Sequence, residues 1–296
     1  MDFLGLLSAI LAVVAPVMIV AAVGFAWIRG GLPYDNAFIT TFAISLSTPC
    51  LVFTALARAR IDHGELLAVT TAAALCMAGA ALVSWPLLAA AGLRRSVYLP
   101  AMAFPNAGNL GIPICLFAFG ELGLSYAVLF MAVLAVAQFT IGPAVAAGRP
   151  DLRMLARTPV LYAVAAGLAV QLGGLHIPVW LGNTTKILGD CAVPLMLFSL
   201  GVALARLRLG GALRVMAVSA LRIGLGALVG VAVTWAMGLE GVLRGVVIVE
   251  SAMPVAVFNY LWALRYNNGP EEVAGMVMGS TVLSFLTLPL LLAVLL

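Results

Sequence analysis

The sequence predicts an all-α integral membrane protein of ten transmembrane helices, arranged as two inverted five-helix repeats with one broken helix in each. Three observations lead to this fold class. First, 64% of the 296 residues are hydrophobic and only 9% are charged, which is too little charge to cover a water-facing surface. Second, ten apolar stretches are each long enough to cross a bilayer, which takes about 20 residues. Third, prolines and glycines of the first half recur in the second half at a nearly constant offset.

The ten predicted spans follow one another with short loops, so almost no residue is left for a soluble domain. We expect helices throughout, because the runs are continuously apolar and lack the alternation of a membrane β-barrel. No basic region precedes the first run, which therefore predicts a retained helix and not a cleaved signal peptide. The spans cover residues 5–28, 36–57, 65–91, 97–118, 122–147, 156–173, 179–204, 212–237, 242–264 and 272–295.

The loop charges predict the orientation of the chain. Ten basic residues fall in the odd-numbered loops and four in the even-numbered loops. Cytoplasmic loops carry the excess of Lys and Arg, so both termini are expected on the non-cytoplasmic side of the inner (plasma) membrane. The odd-loop residues are Arg29, Arg94, Arg95, Arg149, Arg153, Arg157, Arg206, Arg208, Arg214 and Arg265, and the even-loop residues are Arg58, Arg60, Lys186 and Arg244.

The internal repeat divides the chain into residues 1–148 and 149–296, joined by a short basic hinge at residues 149–153. Each half has five spans, an odd number, so the halves have opposite orientations in the membrane. Inverted repeats of this kind characterise secondary transporters; the alternative is a duplicated scaffold without transport. The matches are Pro16 with Pro159 and Gly24 with Gly167 at 143 residues, Pro49 with Pro194 and Phe53 with Phe198 at 145, and Pro105 with Pro254 at 149.

Spans four and nine are predicted to break in the middle of the membrane. Proline removes a backbone donor and glycine weakens a helix, and freed backbone groups at that depth are tolerated only where they line a cavity or are buried. Half-helix N-termini and asparagine amides suit a small anion such as a carboxylate, whereas carbonyl ends suit a cation. For the asparagines, the alternative is hydrogen bonding between helices. The candidate substrate-binding residues are Asn106, Gly108, Asn109 and Asn259, beside Pro105 and Pro254.

Two charged residues lie well inside predicted spans. Glu250 is one turn before Pro254, and carboxylates inside a membrane are usually functional, so it is the candidate for coupling to H+ or Na+. The alternatives are an ion pair with Arg222 or Arg244, or a position near the water interface. Arg222 could pair with Glu250 or extend its side chain to the interface. Lys186 and Asp190, four residues apart, predict a local ion pair.

The sequence contains no pattern typical of an enzyme. The two histidines, His63 and His176, fall in loops, and there is no HExxH, Walker or GxSxG motif. We therefore expect no catalytic residues, no metal and no cofactor. The spread of basic residues over short loops gives no indication of nucleic-acid binding.

Four strings, spread over both halves, stand out in the sequence: TPCLVF at residues 48–53, PNAGNLGIP at 105–113, AMP at 252–254 and TLPL at 287–290. They give the chain a resemblance to the auxin efflux carrier family, which includes plant PIN carriers and bacterial malonate-permease-like proteins. The string of span four is the most specific. Unlike the plant members, this chain has only a short basic turn at its centre, and it carries Glu250 before the second break.

The resemblance implies that helices 4 and 9 are crossover helices meeting at Pro105 and Pro254. Helices 1, 2, 6 and 7 would form a scaffold, and helices 3–5 and 8–10 a transport domain that moves as an elevator. The substrate would be a small organic anion, auxin-like or a dicarboxylate such as malonate or malate, with Asn106 at its carboxylate. The expected partners are this anion, the lipid bilayer, H+ or Na+, and a second copy in a homodimer. The alternatives are a sodium-coupled carrier of the bile-acid-symporter type, a channel, and a membrane sensor that does not transport.

Overall fold

The computed structural model describes residues 3–59, 61–147, 157–206 and 212–296, and over these ranges the chain is all-helical. The predicted hinge at residues 149–153, the division between residues 148 and 149, and Arg60 and Arg208 lie outside the described residues. No strand occurs in the described ranges; a single antiparallel bridge joins Pro105 to Val255.

Helices α1 to α6 precede the central gap and α7 to α13 follow it. A π-helical turn, Ala43–Ser47, joins α2 to α3, and a second one, Ala107–Gly111, leads into α6. Gly120, with φ 66° and ψ −157°, interrupts α6. The helices are α1 Phe3–Arg29, α2 Asn36–Phe42, α3 Thr48–Arg58, α4 His63–Ala90, α5 Arg95–Ala103, α6 Ile112–Ala147, α7 Pro159–Leu172, α8 Val179–Asp190, α9 Ala192–Arg206, α10 Ala212–Ala236, α11 Gly241–Ser251, α12 Val257–Arg265 and α13 Pro270–Leu295.

Seven helical stretches of the described chain are long and apolar enough to cross a membrane. The prediction of ten spans differs because of three regions. Predicted span 156–173 corresponds to the short helix α7, and span 242–264 is divided between α11 and α12. Spans 97–118 and 122–147 fall in one stretch only because α6 continues across the kink at Gly120, which lies in the predicted loop between them. The seven are Ser8–Arg29, Asn36–Arg58, His63–Ala90, Ala107–Gln138, Val179–Arg206, Arg214–Ala236 and Pro270–Leu295.

Local capping explains where α4 begins. The Asp62 carboxylate accepts a hydrogen bond from the Glu65 backbone N–H at 2.8 Å, and the Glu65 carboxylate accepts one from the Asp62 N–H at 3.2 Å. This capping box satisfies two backbone donors that the first turn of a helix leaves free. The loop before α4 is therefore held tightly, and α4 enters the apolar region from a fixed point.

Glycines allow helices of the two halves to pack in two matching pairs. Gly24 of α1 lies against the backbone of Phe198 in α9, and Gly167 of α7 lies against the backbone of Phe53 in α3. Gly24 and Gly167 occupy corresponding positions of the sequence repeat, as do Phe53 and Phe198. Small residues let helix backbones approach closely in membranes. The same contact thus occurs twice, each time between a helix of one half and a helix of the other.

Helix α11 lies in the centre of the molecule. All of its residues from Gly245 to Ser251 are buried, and α4, α6 and α10 pack around it. A polar contact outside the core ties the start of α5 to the turn between α12 and α13, where Arg94 pairs with Glu272 at 3.0 Å and the Asn268 amide donates to the Ser96 carbonyl at 3.0 Å. These contacts fix the short helices on both sides of the breaks.

Candidate functional site

The breaks in spans four and nine meet each other. Helix α5 ends at Ala103 and α11 ends at Ser251, and the segments that follow run antiparallel. The Asn106 N–H donates to the Pro254 carbonyl at 2.8 Å, and the Ala256 N–H donates to the Phe104 carbonyl at 3.3 Å. Backbone groups that the breaks release are therefore paired with one another, as burial in an apolar interior requires. We call residues 104–106 and 254–256 the crossing.

Two side chains complete the hydrogen bonding of the crossing. The Asn259 side-chain amide donates to the Phe104 carbonyl at 3.1 Å, and the Ser280 hydroxyl accepts from the Val255 N–H at 3.0 Å. Asn259 is 3% exposed; its amide nitrogen is bound within the protein, whereas its Oδ1 has no hydrogen-bond partner among the described residues. This contact is the interhelical hydrogen bond that the sequence left open as the alternative for the asparagines.

A cavity of about 110 Å³ lies beside the crossing, and we call it the crossing cavity. Pro105, Asn106, Gly108 and Asn109, all from span four, line it together. Asn259 is not among its lining residues, although Phe258 is. The structure therefore brings together the candidate residues of the first repeat and places Asn259 on the bond that holds the crossing. The other polar lining residues are Thr48, Gln138 and Thr158.

Two amide nitrogens that belong to lining residues have no hydrogen-bond partner. They are Nδ2 of Asn106 and Nε2 of Gln138, whose residues are 3% and 5% exposed. A buried donor left without an acceptor costs about 1–3 kcal/mol, so such groups call for an explanation. A molecule with acceptor oxygens, bound in the crossing cavity, would supply what such donors lack. A carboxylate has acceptor sites on two oxygens and no donor when ionised.

Sequence reasoning missed Gln138, Thr48 and Thr158 as lining residues. Gln138 is the one carboxamide in predicted span 122–147, and that isolated polarity in an apolar run was the available signal. Thr48 precedes Pro49 and Thr158 precedes Pro159, each at the beginning of a helix. No spacing rule connects these residues to Asn106, because they come from different helices.

Glu250 is completely buried, with 0% of its surface exposed. Its Oε1 lies 3.6 Å from Sγ of Cys115, and its Oε2 has no hydrogen-bond partner. The carboxyl group packs directly on Gly111, where an added Cβ would lie 2.6 Å from the carboxyl carbon. The expected alternatives of an ion pair with Arg222 or Arg244, or a position at the water interface, are therefore wrong. Glu250 instead joins the second broken helix to the π-helical turn of the first.

Arg222 is 1% exposed, and both of its terminal nitrogens donate to the Ser251 carbonyl at 3.2 Å. The guanidinium thus binds the C-terminal end of α11, where the helix dipole favours positive charge. Gly226 leaves room for it, because a Cβ there would overlap both the guanidinium and the Ser251 carbonyl. The expectations that Arg222 pairs with Glu250 or reaches the interface are both wrong.

A larger, open cavity of about 880 Å³ lies between α3, α6 and α8. Arg58, Glu121, Lys186 and Asp190 line it, and the predicted ion pair of Lys186 with Asp190 is confirmed at 2.8 Å. Helices α3 and α6 line both the open cavity and the crossing cavity. Residues 51–58 of α3 and 116–125 of α6 line the open cavity. Residue 48 of α3 and residues 131–138 of α6 line the crossing cavity. The two cavities therefore follow one another along one helix interface that leads to the crossing.

Replacement of Asn259 by alanine is expected to lower the free energy of unfolding by about 1 kcal/mol. The change removes one buried hydrogen bond of ordinary strength, while the Ala256 N–H still satisfies the Phe104 carbonyl. Thermal unfolding of the purified variant in detergent measures the effect. A variant as stable as the original chain would show that this bond does not hold the crossing.

Comparison with known proteins gives a consistent set of relatives. The model of a family described as membrane transport proteins matches residues 9–151 and 143–292. An uncharacterized transporter of Methanothermobacter thermautotrophicus is 26% identical over 268 residues, which are 86% of this chain and 88% of the relative. Auxin efflux carrier component 1 of Arabidopsis thaliana is 29% identical over 43% of this chain and 21% of its own length. A probable auxin efflux carrier component 1b of Oryza sativa subsp. japonica is 30% identical over 43% of this chain and 24% of its own length.

Proposed function

We propose that this chain, which belongs to the membrane transport protein family, is a secondary active or facilitated carrier of a small organic anion. The resemblance to auxin efflux carriers is confirmed by the relatives that the chain matches. The observation that supports an anionic substrate is a pair of unpaired amide donors. They are Asn106 Nδ2 and Gln138 Nε2, and both belong to residues that line the crossing cavity. A carboxylate supplies the acceptors that both lack.

Among organic anions, the size of the cavity favours a small dicarboxylate such as malonate or malate over an auxin-like molecule with an indole ring. Pockets for drug-sized ligands measure about 300–1,000 Å³, and the crossing cavity measures about 110 Å³. The plant relatives named as auxin efflux carriers align with less than half of this chain, so they support the transport of an anion more than auxin itself.

The proposed architecture has ten transmembrane helices in two inverted repeats, residues 1–148 and 149–296. Transmembrane helices 1, 2, 6 and 7 form the scaffold, and helices 3–5 and 8–10, with crossover helices 4 and 9, form the transport domain. The matching contacts of Gly24 with Phe198 and of Gly167 with Phe53 support the repeat, and the paired backbones of the crossing support the crossover. We propose that the transport domain moves as an elevator, carrying the crossing cavity past the scaffold interface that the open cavity lines.

Glu250 is the proposed coupling residue, and a proton is the coupling ion that its surroundings favour. The thiol of Cys115 is the one polar group bonded to its carboxylate within the described structure. Burying an ionised carboxylate without a cation beside it costs much free energy, so the protonated, neutral form has the lower free energy in this environment. Sodium coupling, as in bile-acid symporters, remains the second candidate, and uptake with and without sodium separates the two.

Replacement of Glu250 by glutamine is expected to flatten the pH dependence of transport, because glutamine has the shape of the protonated acid and cannot release a proton. Initial uptake rates from pH 5 to pH 8 measure the effect. Glu271→Gln is the matched control, since Glu271 lies exposed in the first turn of α13 and its loss leaves the profile unchanged. A Glu250→Gln profile that follows the original chain would remove Glu250 from the coupling role.

Solid-supported-membrane electrophysiology on liposomes tests the function itself. Indole-acetate, malonate and malate are applied with and without sodium and a pH gradient. A saturable current for one carboxylate supports an electrogenic anion carrier. Where no current appears, counterflow of the radiolabelled acid detects electroneutral exchange. Absence of both current and counterflow would contradict the proposal and favour a membrane sensor that binds ligand without net flux.

A further inference from the structure

The buried guanidinium of Arg222 lies behind the crossing. It lines a small cavity together with Pro105, Cys76 and Ser251, and Pro105 also lines the crossing cavity. The small cavity offers about 10 Å³ to the centre of a water-sized sphere, which is room for about one water molecule. Pro105 is thus shared by the two cavities, with Arg222 lining one and Asn106 lining the other.

The positive charge of Arg222 has no anionic partner in the described part of the chain. The ion pairs found there join Arg94 to Glu272 and Lys186 to Asp190. Arg222 binds a neutral carbonyl through its two terminal nitrogens, and its Nε has no hydrogen-bond partner. Arginine stays protonated in proteins, so a full positive charge is held in an apolar interior with little screening.

A neutral donor could have capped the end of α11 at lower cost. Burying a charge is expensive unless it is compensated, and charged residues inside membranes usually serve the transported species. The field of an unpaired charge in a medium of low dielectric extends across several ångströms of protein. The crossing cavity, which shares Pro105 with the cavity that Arg222 lines, is where that field meets a bound solute.

We propose that Arg222 determines the charge specificity of the crossing cavity: acting across Pro105 and without touching the substrate, it makes the cavity favour anions over neutral solutes of the same shape. This inference rests on the proposed function and assigns its charge selectivity to one residue. Arg222 is a specificity-determining residue in this scheme, whereas Asn106 and Gln138 supply the hydrogen bonds.

Glu250 is the other charge-bearing group next to the crossing, and its state modifies the effect of Arg222. Its carboxyl group lies on Gly111 and Cys115, away from the Ser251 carbonyl that holds Arg222, although residues 250 and 251 are neighbours. Cys76 is the remaining titratable group in the lining of the small cavity. When Glu250 carries a proton, the crossing keeps one net positive charge; when it is ionised, the two charges offset each other. Anion binding and proton uptake at Glu250 therefore favour one another.

The test varies the charge of the solute and of residue 222 together. Two pairs of probes share a shape and differ by one charge: malonate with malonamate, and indole-acetate with indole-acetamide. Affinities are measured for the original chain, Arg222→Gln, which keeps a donor without the charge, and Arg222→Lys, which keeps the charge. Arg244→Gln is the matched control, because it removes a positive charge from the exposed start of α11.

For each pair of probes we compare the ratio of the two affinities. Arg222→Gln is expected to lower the affinity for the more negative probe on the order of tenfold more than the affinity for the other probe, because the variant removes one unit charge near the cavity. Arg222→Lys and Arg244→Gln leave the ratio within about threefold of the original. Because both probes meet the same folded variant, loss of stability cancels in the ratio. An equal loss for both members, or an unchanged ratio, overturns the inference and leaves Arg222 as a structural cap. A chain that binds neither acid before mutation contradicts the proposed function instead.

Discussion

Replacement of Asn106 by alanine is expected to abolish transport of the carboxylate while the fold survives. The side-chain amide nitrogen of Asn106 has no hydrogen-bond partner among the described residues, whereas its backbone makes the structural bonds: the N–H donates to Pro254, and the carbonyl accepts from Gly111 at 3.1 Å. Alanine keeps that backbone and removes only the donor that lines the cavity. A hydrogen bond to a charged group contributes about 1.5–3 kcal/mol, which is about ten- to a hundredfold in affinity.

Uptake of radiolabelled substrate into liposomes measures this effect, and thermal unfolding in detergent verifies the fold. Asn183→Ala is the matched control, because Asn183 lies exposed on α8 and lines neither of the two cavities. Transport at the original rate in Asn106→Ala would show that the substrate does not bind at the crossing cavity. A variant that no longer folds would contradict the assignment of its structural role to the backbone alone.

The breaks at the crossing follow from local chemistry that the sequence displays. Pro105 and Pro254 have no backbone donor to give, and Gly108 and Gly111 make the next turn of span four easy to distort. These effects act within one helical turn, so residue types alone predict where α5 and α11 end. The repeat offset of 149 residues between the two prolines also indicates which two breaks belong together. Asn106, Gly108 and Asn109 line one cavity because they follow the break directly.

The partners of the buried polar groups could not be predicted in the same way. A helix that is apolar all round gives no period from which its rotation can be deduced, and α4 and α13 are of this kind. The sequence therefore left open which residues face Glu250 and Arg222, and ion pairing was one of the alternatives that their charges suggested. The contact of Glu250 with Gly111 and Cys115 depends on how α11 packs against α6 and the π-helical turn before it. So does the position of Gln138, which lies 32 residues from Asn106 along the chain.

The polar groups at the crossing are of two kinds, those that hold the broken helices together and those that are left to bind a substrate. Backbone bonds and the Asn259 amide hold the broken helices together, while the amides of Asn106 and Gln138 remain without protein partners. A binding site that must release its ligand needs donors that are fixed in place but not already bonded. Burial at the crossing supplies the first condition, and the absence of nearby acceptors for these two nitrogens supplies the second.

Replacement of Gly201 by alanine is expected to destabilise the folded chain, at a contact within the proposed scaffold, by about 3 kcal/mol, at the upper end of the usual cost of overpacking. Gly201 of α9 lies on the backbone of α1, where an added Cβ would overlap the Ala21 carbonyl oxygen and lie 2.9 Å from the Phe25 nitrogen. Backbone atoms cannot rotate away as a side chain can, so α1 and α9 must separate. This pair of helices corresponds, through the repeat, to α7 and α3, where Gly167 makes the matching approach to Phe53.

Gly224→Ala provides the control for Gly201→Ala. Gly224 also lies within a helix, α10, but no atom lies within 4 Å of its added Cβ. Alanine there is therefore neutral, or it raises the free energy of unfolding by up to about 1 kcal/mol, because alanine loses less conformational entropy than glycine on folding. Thermal unfolding of both variants in detergent gives the comparison. If Gly201→Ala unfolds at the temperature of Gly224→Ala, the close approach of α1 and α9 is wrong, and the matched glycine contacts lose their support for the inverted repeat. If it unfolds well below, the stability of the chain depends on the close approach of α1 and α9, and a rigid scaffold is what the proposed elevator motion of the crossing requires.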